Sequence, residues 1–175
     1  MKVLYAKCLL YAYPNLKKIA GQLSDLALKK ALASMSDNSP CETLCEKIVL
    51  INFQKEFYIE LEGLINKALS LFDKKELDCF EYKYFKRQNK EYFERFDCSS
   101  RAYFRKQIKL INSFAMALDN VGVTDKFFIG NCLSLDFFKE LLKRTVEYEE
   151  RSNKNKPKKK PLQILPPVIS KEKIA

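Results

Sequence analysis

Residues 71–114 read LFDKKELDCFEYKYFKRQNKEYFERFDCSSRAYFRKQIKLINSF. Two helix starts are written into this stretch. Asp73-Lys74-Lys75-Glu76 is a capping box, in which the Asp73 carboxylate accepts from the amide of the third residue on and the Glu76 side chain reaches back to the cap amide. Leu77, Phe80 and Tyr84, with Phe85 beside them, give the following helix one apolar face, until Lys86-Arg87-Gln88-Asn89 breaks the pattern. A short helix is expected from about Lys90 to Phe96, and Asp97-Cys98 makes a tight turn. Ser99 then caps a further helix predicted to run to about Leu118.

That last helix has two unlike faces. Arg101, Arg105 and Lys109 are spaced by four and project together, with Lys106 and Asn112 nearby, while Tyr103, Gln107, Leu110 and Phe114 point elsewhere and hold the helix on its neighbours. A helix that packs on one side and offers Arg and Lys on the other suits the major groove of duplex DNA, where Arg reaches guanine edges and Lys meets phosphates. Helix, short helix, tight turn and longer helix in this order make a helix-turn-helix. The tyrosines and phenylalanines between Tyr82 and Phe104 would also serve as a stacking platform for single strands, but their helical spacing favours core.

Working outward, the same periodicity continues. Leu16, Ile19, Leu23 and Leu26 follow Pro14, which is read as a first-turn proline. Ser39-Pro40-Cys41-Glu42 is a second capping box, opening a long helix to about Ser70 whose Leu50, Phe53, Phe57, Leu61, Leu64 and Ala68 form the stripe expected to pack on the first helix as an antiparallel hairpin. After Gly122 a short helix is expected from Asp125, and a longer one from Asp136 to Glu150 with Ser134 as its cap. From Arg151 onward Lys, Pro and Asn dominate, a composition that cannot bury enough surface to fold alone. The fold class is all-α: a helical hairpin at 1–70, the helix-turn-helix at 71–118, a helical segment at 119–150 and a disordered basic tail at 151–175.

Composition removes several function classes. The 175 residues include 32 Lys and Arg against 22 Asp and Glu, a formal charge of +10 that favours an acidic partner. There is no histidine, so Ser-His and Cys-His nucleophile pairs and imidazole zinc sites are out. The four glycines form neither GxGxxG nor GxxxxGK[ST], which leaves no phosphate-cradling loop. Cys8, Cys41, Cys45, Cys79, Cys98 and Cys132 come without paired CxxC spacing or a secretory signal and read as reduced thiols in a cytoplasm, serving as small apolar filler. No apolar stretch reaches the roughly 18 residues of a membrane span, so no membrane partner is expected. Neither an enzyme nor a cofactor or metal is expected, because the acidic pairs such as Glu60 and Glu62 lie on solvated faces.

Residues 71–114 also resemble the fourth region of sigma factors, an acidic-capped helix with an aromatic-basic end followed by a helix-turn-helix. With the leading helix, the Ser39-Pro40 loop and the long helix before it, the layout of the first 118 residues resembles the ArpU and RinA type of phage late-gene regulators. The resemblance implies that Ser99 caps the recognition helix, that Tyr103 fills a buried aliphatic site, and that Ser100, Arg101, Arg105, Lys106 and Lys109 belong to the DNA-facing set. Phe93 stands where the family has a small residue and Asp97 where it has glycine.

The function expected is thus a sequence-specific, duplex DNA-binding transcriptional regulator, with RNA polymerase as the further partner the resemblance implies. The run Lys154-Asn155-Lys156-Pro157-Lys158-Lys159-Lys160 would add affinity by releasing counterions without reading sequence. A structural packaging component, akin to the DNA-binding small subunit of a phage terminase and forming a homo-oligomer, is the alternative.

Overall fold

The computed structural model describes residues 1–33, 41–85 and 99–154. Among the described residues there are helices and no strands. The α-helices are α1 (Val3–Ala33), α2 (Cys41–Leu69), α3 (Lys74–Phe80), α4 (Ser100–Asn120), the single turn α5 (Asp125–Phe127) and α6 (Asp136–Lys154). π-helical turns extend α3 over Glu81–Phe85 and α5 over Phe128–Cys132. The Ser39-Pro40 cap, the Lys86–Asn89 break, the expected helix at 90–96, the Asp97-Cys98 turn and the tail beyond Lys154 lie outside the described residues.

α1 packs chiefly along α2, and also on α4 and α6. Tyr13 in α1 hydrogen-bonds Asn66 near the far end of α2, as antiparallel helices require. The contact face of α1 carries Ala6, Ala12, Ala20 and Ala27 among its buried residues, and these short side chains let a neighbouring helix come close. Pro14 is a correction: it lies inside α1 and not in a first turn. Its ring is exposed and interrupts one backbone hydrogen bond at a cost of about 3 kcal/mol. Leu9, Leu10 and Ala12 before it and Leu16 after it are fully buried, at roughly 1.5–3 kcal/mol for each leucine, so one continuous helix is the lower-energy outcome.

The stripe expected on α2 is half right. Leu61 and Ala68 are fully buried and Phe57 and Leu64 half-buried, whereas Leu50 and Phe53 are 62% and 65% exposed. The reason is where the cover ends. Phe57 stacks on Phe127 with centroids 6.2 Å apart, and Tyr58 packs on Phe137 and Phe138 of α6 at 6.3 and 6.1 Å. One turn nearer the start of α2, no aromatic side chain of α5 or α6 contacts Phe53 among the described residues. Leu26, expected on the packed face of α1, is likewise 42% exposed.

One continuous core joins all six helices. The Asp73 box forms as expected, with the Glu76 amide donating to Asp73 Oδ1 at 2.7 Å and the Asp73 amide donating to Glu76 Oε2 at 3.1 Å. The wider π turn after α3 sets Tyr84 edge-on to Tyr11 at 4.8 Å, and Phe80 tilts against Phe114 of α4 at 5.6 Å. Between α4 and α5 the chain reverses through Gly122 at φ 92°, with the Val123 amide donating back to the Leu118 carbonyl at 2.9 Å. That left-handed backbone is open to glycine at little cost, and the reversed bond satisfies a carbonyl at the helix end.

Two further expectations at the C-terminal end are corrected. Ser134 does not cap α6; its hydroxyl donates to the Asn131 carbonyl at 2.6 Å, and the Leu135 carbonyl accepts the first bonds of the helix from Phe138 and Lys139. α6 continues past Glu150 to Lys154, so the first residues of the expected tail are helical. Lys7 Nζ meets Glu149 Oε1 at 2.8 Å and ties this end of α6 to α1.

Candidate nucleic-acid interface

α4 begins where Ser99, in extended backbone at φ −61° and ψ 151°, accepts from the Ala102 amide at 3.3 Å. Ser100 is the first helical residue. The inner face then closes onto the protein: Tyr103, Gln107, Leu110, Ile111, Phe114, Ala115 and Leu118 are all buried. Gln107 donates to the Tyr103 hydroxyl, while its own Oε1 is buried without a partner. The division between packed and outward faces expected along this helix is therefore the one observed.

Arg101, Arg105 and Lys109 are exposed. Residues advance about 100° each around a helix, so steps of four move these three by only about 40° and they form one stripe. Lys106 is half-buried and sits on the flank, about 100° round from Arg105. Among the described residues no carboxylate pairs with any of the four. The first turn of α4 holds no acidic residue although helix starts favour one. Arg101 therefore adds positive charge to the positive end of the helix dipole, at about 0.3–1 kcal/mol to the free protein. An anion at this end would remove that repulsion and would meet the free amides of the first turn.

Phe104, Ile108 and Met116 share this outward face, each more than 60% exposed. Sequence reasoning favoured the core for the aromatics up to Phe104 and did not single out Ile108 or Met116. The signal was present in the spacing: Phe104 is three residues after Arg101 and four before Ile108, which puts all three on the cationic side. The outward surface is thus a basic stripe interleaved with apolar side chains, able to meet phosphate and guanine edges through its cations and a thymine methyl through Phe104 or Ile108.

Among the described residues no group of three or more acidic or cysteine side chains is placed to hold a metal ion, and no helix is long and apolar enough to cross a membrane. Comparison with protein-family models, with curated proteins and with solved structures finds no match to this chain.

Proposed function

We propose that the chain is a duplex DNA-binding transcriptional regulator acting in a cytoplasm, with α4 as its reading helix. The observation that carries the reading is the outward face of α4: Arg101, Arg105 and Lys109 are exposed in one stripe along the first half of the helix, with no partnering carboxylate among the described residues, and the other face is anchored in the core. Side chains near the start of a recognition helix are those that reach base edges, and the three cations fall in the first ten residues of α4. In this reading residues 71–118 form a helix-turn-helix of sigma region-four type, α3 is its supporting helix and the α1–α2 pair is its hairpin platform. Contact with RNA polymerase belongs to the same proposal, as does the contribution of the Lys-rich run after Lys154 to affinity without specificity.

The test is a selection of bound fragments from random duplex DNA by the full chain, with the triple variant Arg101→Ala, Arg105→Ala, Lys109→Ala alongside. The triple variant keeps its helicity, because none of the three packs inward, and loses binding. Singly, Arg101→Ala or Arg105→Ala costs about 1–3 kcal/mol at one base pair if that side chain reads a guanine, whereas Lys109→Ala weakens all sequences alike. A folded triple variant with wild-type affinity and preference overturns the assignment to α4. Binding without sequence preference by a ring of eight or more copies transfers the reading to a packaging component.

A further inference from the structure

Phe104 and Ile108 are exposed on α4 and gain nothing from phosphate. Their helix carries Arg101, Arg105, Lys106 and Lys109 and no acidic residue before Asp119. At about 100° per residue, Ile108 falls about 20° from Arg101 and Phe104 about 60°, both on the side away from Arg105. Across the outward face the order is therefore Phe104, Ile108, Arg101, Arg105, Lys109, an arc of about 140° with an apolar edge, arginines in the middle and a lysine at the other edge. The apolar edge is also held in place. The Phe104 ring meets the buried Tyr103 ring at 67° with centroids 5.8 Å apart, and Tyr103 in turn meets Tyr82 at 5.7 Å and accepts from Gln107. A ring fixed before a ligand arrives gives up little freedom on binding.

Charge narrows the partner, and position names the atoms it offers. Cations with no acidic residue among them call for an anionic surface. A lipid surface fits poorly, because a helix lying in a membrane interface puts apolar side chains deepest. Here the outermost position, about 180° round from the fully buried Phe114, belongs to Arg105, and the apolar pair lies to one side of it. In the major groove of duplex DNA the floor is itself mixed: guanine offers acceptors to Arg, and thymine presents its C5 methyl. A helix that sets Arg101 and Arg105 on guanine edges brings Ile108, one turn on from Arg105, and Phe104, next to it, onto neighbouring base pairs. We propose that Phe104 and Ile108 read thymine methyls, so that the duplex site of α4 carries thymines beside the guanines met by Arg101 and Arg105. This rests on the DNA-binding reading given above and adds the apolar half of its specificity.

The test compares thymine with uracil, which lacks only that methyl. Duplexes selected by the full chain are remade with uracil in place of thymine, one position at a time and together, and binding is measured at fixed salt. Wild type is expected to lose about two- to fourfold in affinity for each methyl contacted. The double variant Phe104→Ala, Ile108→Ala is expected to keep its helicity, since both side chains are exposed, and to bind thymine and uracil duplexes equally. With 5-iodouracil, whose iodine takes the place of the methyl, wild type is expected to photo-crosslink at Phe104, located by mass spectrometry. Equal binding of thymine and uracil duplexes by a wild type that still depends on Arg101 and Arg105 overturns this inference and leaves the DNA-binding reading standing. So does a uracil penalty that persists undiminished in the double variant. A chain that binds no duplex, or binds it without Arg101 and Arg105, overturns both. Binding to anionic phospholipid vesicles that the double variant loses, with its duplex binding unchanged, gives the apolar edge to a lipid surface instead. If the double variant loses helicity, the crosslink decides alone.

Discussion

The two ends of the α1–α2 pair are made of the same material and meet different fates. Both are helical, both carry leucine and phenylalanine every three or four residues, and the stripe on α2 runs through both without a change of register. At the covered end α4, α5 and α6 close over it, and Leu9, Leu10, Leu16, Leu61, Ile65 and Phe138 are fully buried. At the open end the equivalent side chains face outward. An apolar stripe therefore states that a helix surface is adhesive, and the rest of the chain decides how much of it is used within the molecule.

Three experiments break or sharpen that contrast. The largest effect is expected from alkali, which acts on the covered end. Burial pushes the Cys8 and Cys132 thiols from an ordinary 9.0 up to about 12, and the Tyr11 hydroxyl from 10.0 to about 12, with Tyr84 raised as well. A folded-state pKa above the unfolded value favours the fold fully below the unfolded pKa and loses that contribution as pH rises through the folded one. Stability to urea is thus expected to hold level below pH 9 as far as these groups are concerned, and to fall steeply between 9 and 12. Cys8→Ala should flatten the fall; an unchanged profile would mean that burial there does not hold the thiol neutral.

Next comes a pair of truncations. Phe138→Ala, at a fully buried site against Tyr58 and Phe128, is expected to cost about 3–5 kcal/mol in chemical denaturation. Phe53→Ala, 65% exposed, should stay within about 0.5 kcal/mol when measured on the monomer. Comparable losses at the two sites would erase the distinction between the ends. The smallest effect is expected from Lys7→Ala, which removes the partly exposed pair with Glu149, at about 1 kcal/mol or less and shrinking with added salt. A loss of several kcal/mol would make that pair a principal clamp of α6 on α1.

Local chemistry was legible in the sequence wherever a few neighbouring residues decide the outcome. The Asp73 box, the Ser99 cap, the short helix at Asp125 and the inward set on α4 all depend on contacts within one or two turns. What was not legible depends on distant partners. Whether Leu50 and Phe53 are covered turns on where Phe127 and α6 sit, more than 70 residues along the chain. Pro14 inside α1 is decided by core burial on both sides of it, which outweighs its local cost. Ser134, expected as a cap, instead donates to the Asn131 carbonyl that the preceding π turn offers its hydroxyl. On α4 the cations were legible from spacing; Phe104 is the exception, since an aromatic side chain favours the core while its angular position three residues after Arg101 puts it outside.

The buried side of α4 also makes the protein an optical instrument. The chain has nine tyrosines and no tryptophan, so tyrosine dominates the long-wavelength part of its near-ultraviolet signal without the stronger chromophore masking it. Tyr103 lies on the inner face directly behind the basic stripe, edge-on to Tyr82 at 5.7 Å and accepting from the Gln107 amide, while Tyr84 and Tyr11 form a second edge-on pair next to it. Rigid, asymmetric ring pairs of this kind give tyrosine circular dichroism that vanishes when the rings are released. Any ligand that tilts or lifts α4 will therefore announce itself in the native chain, with no label attached and no residue replaced.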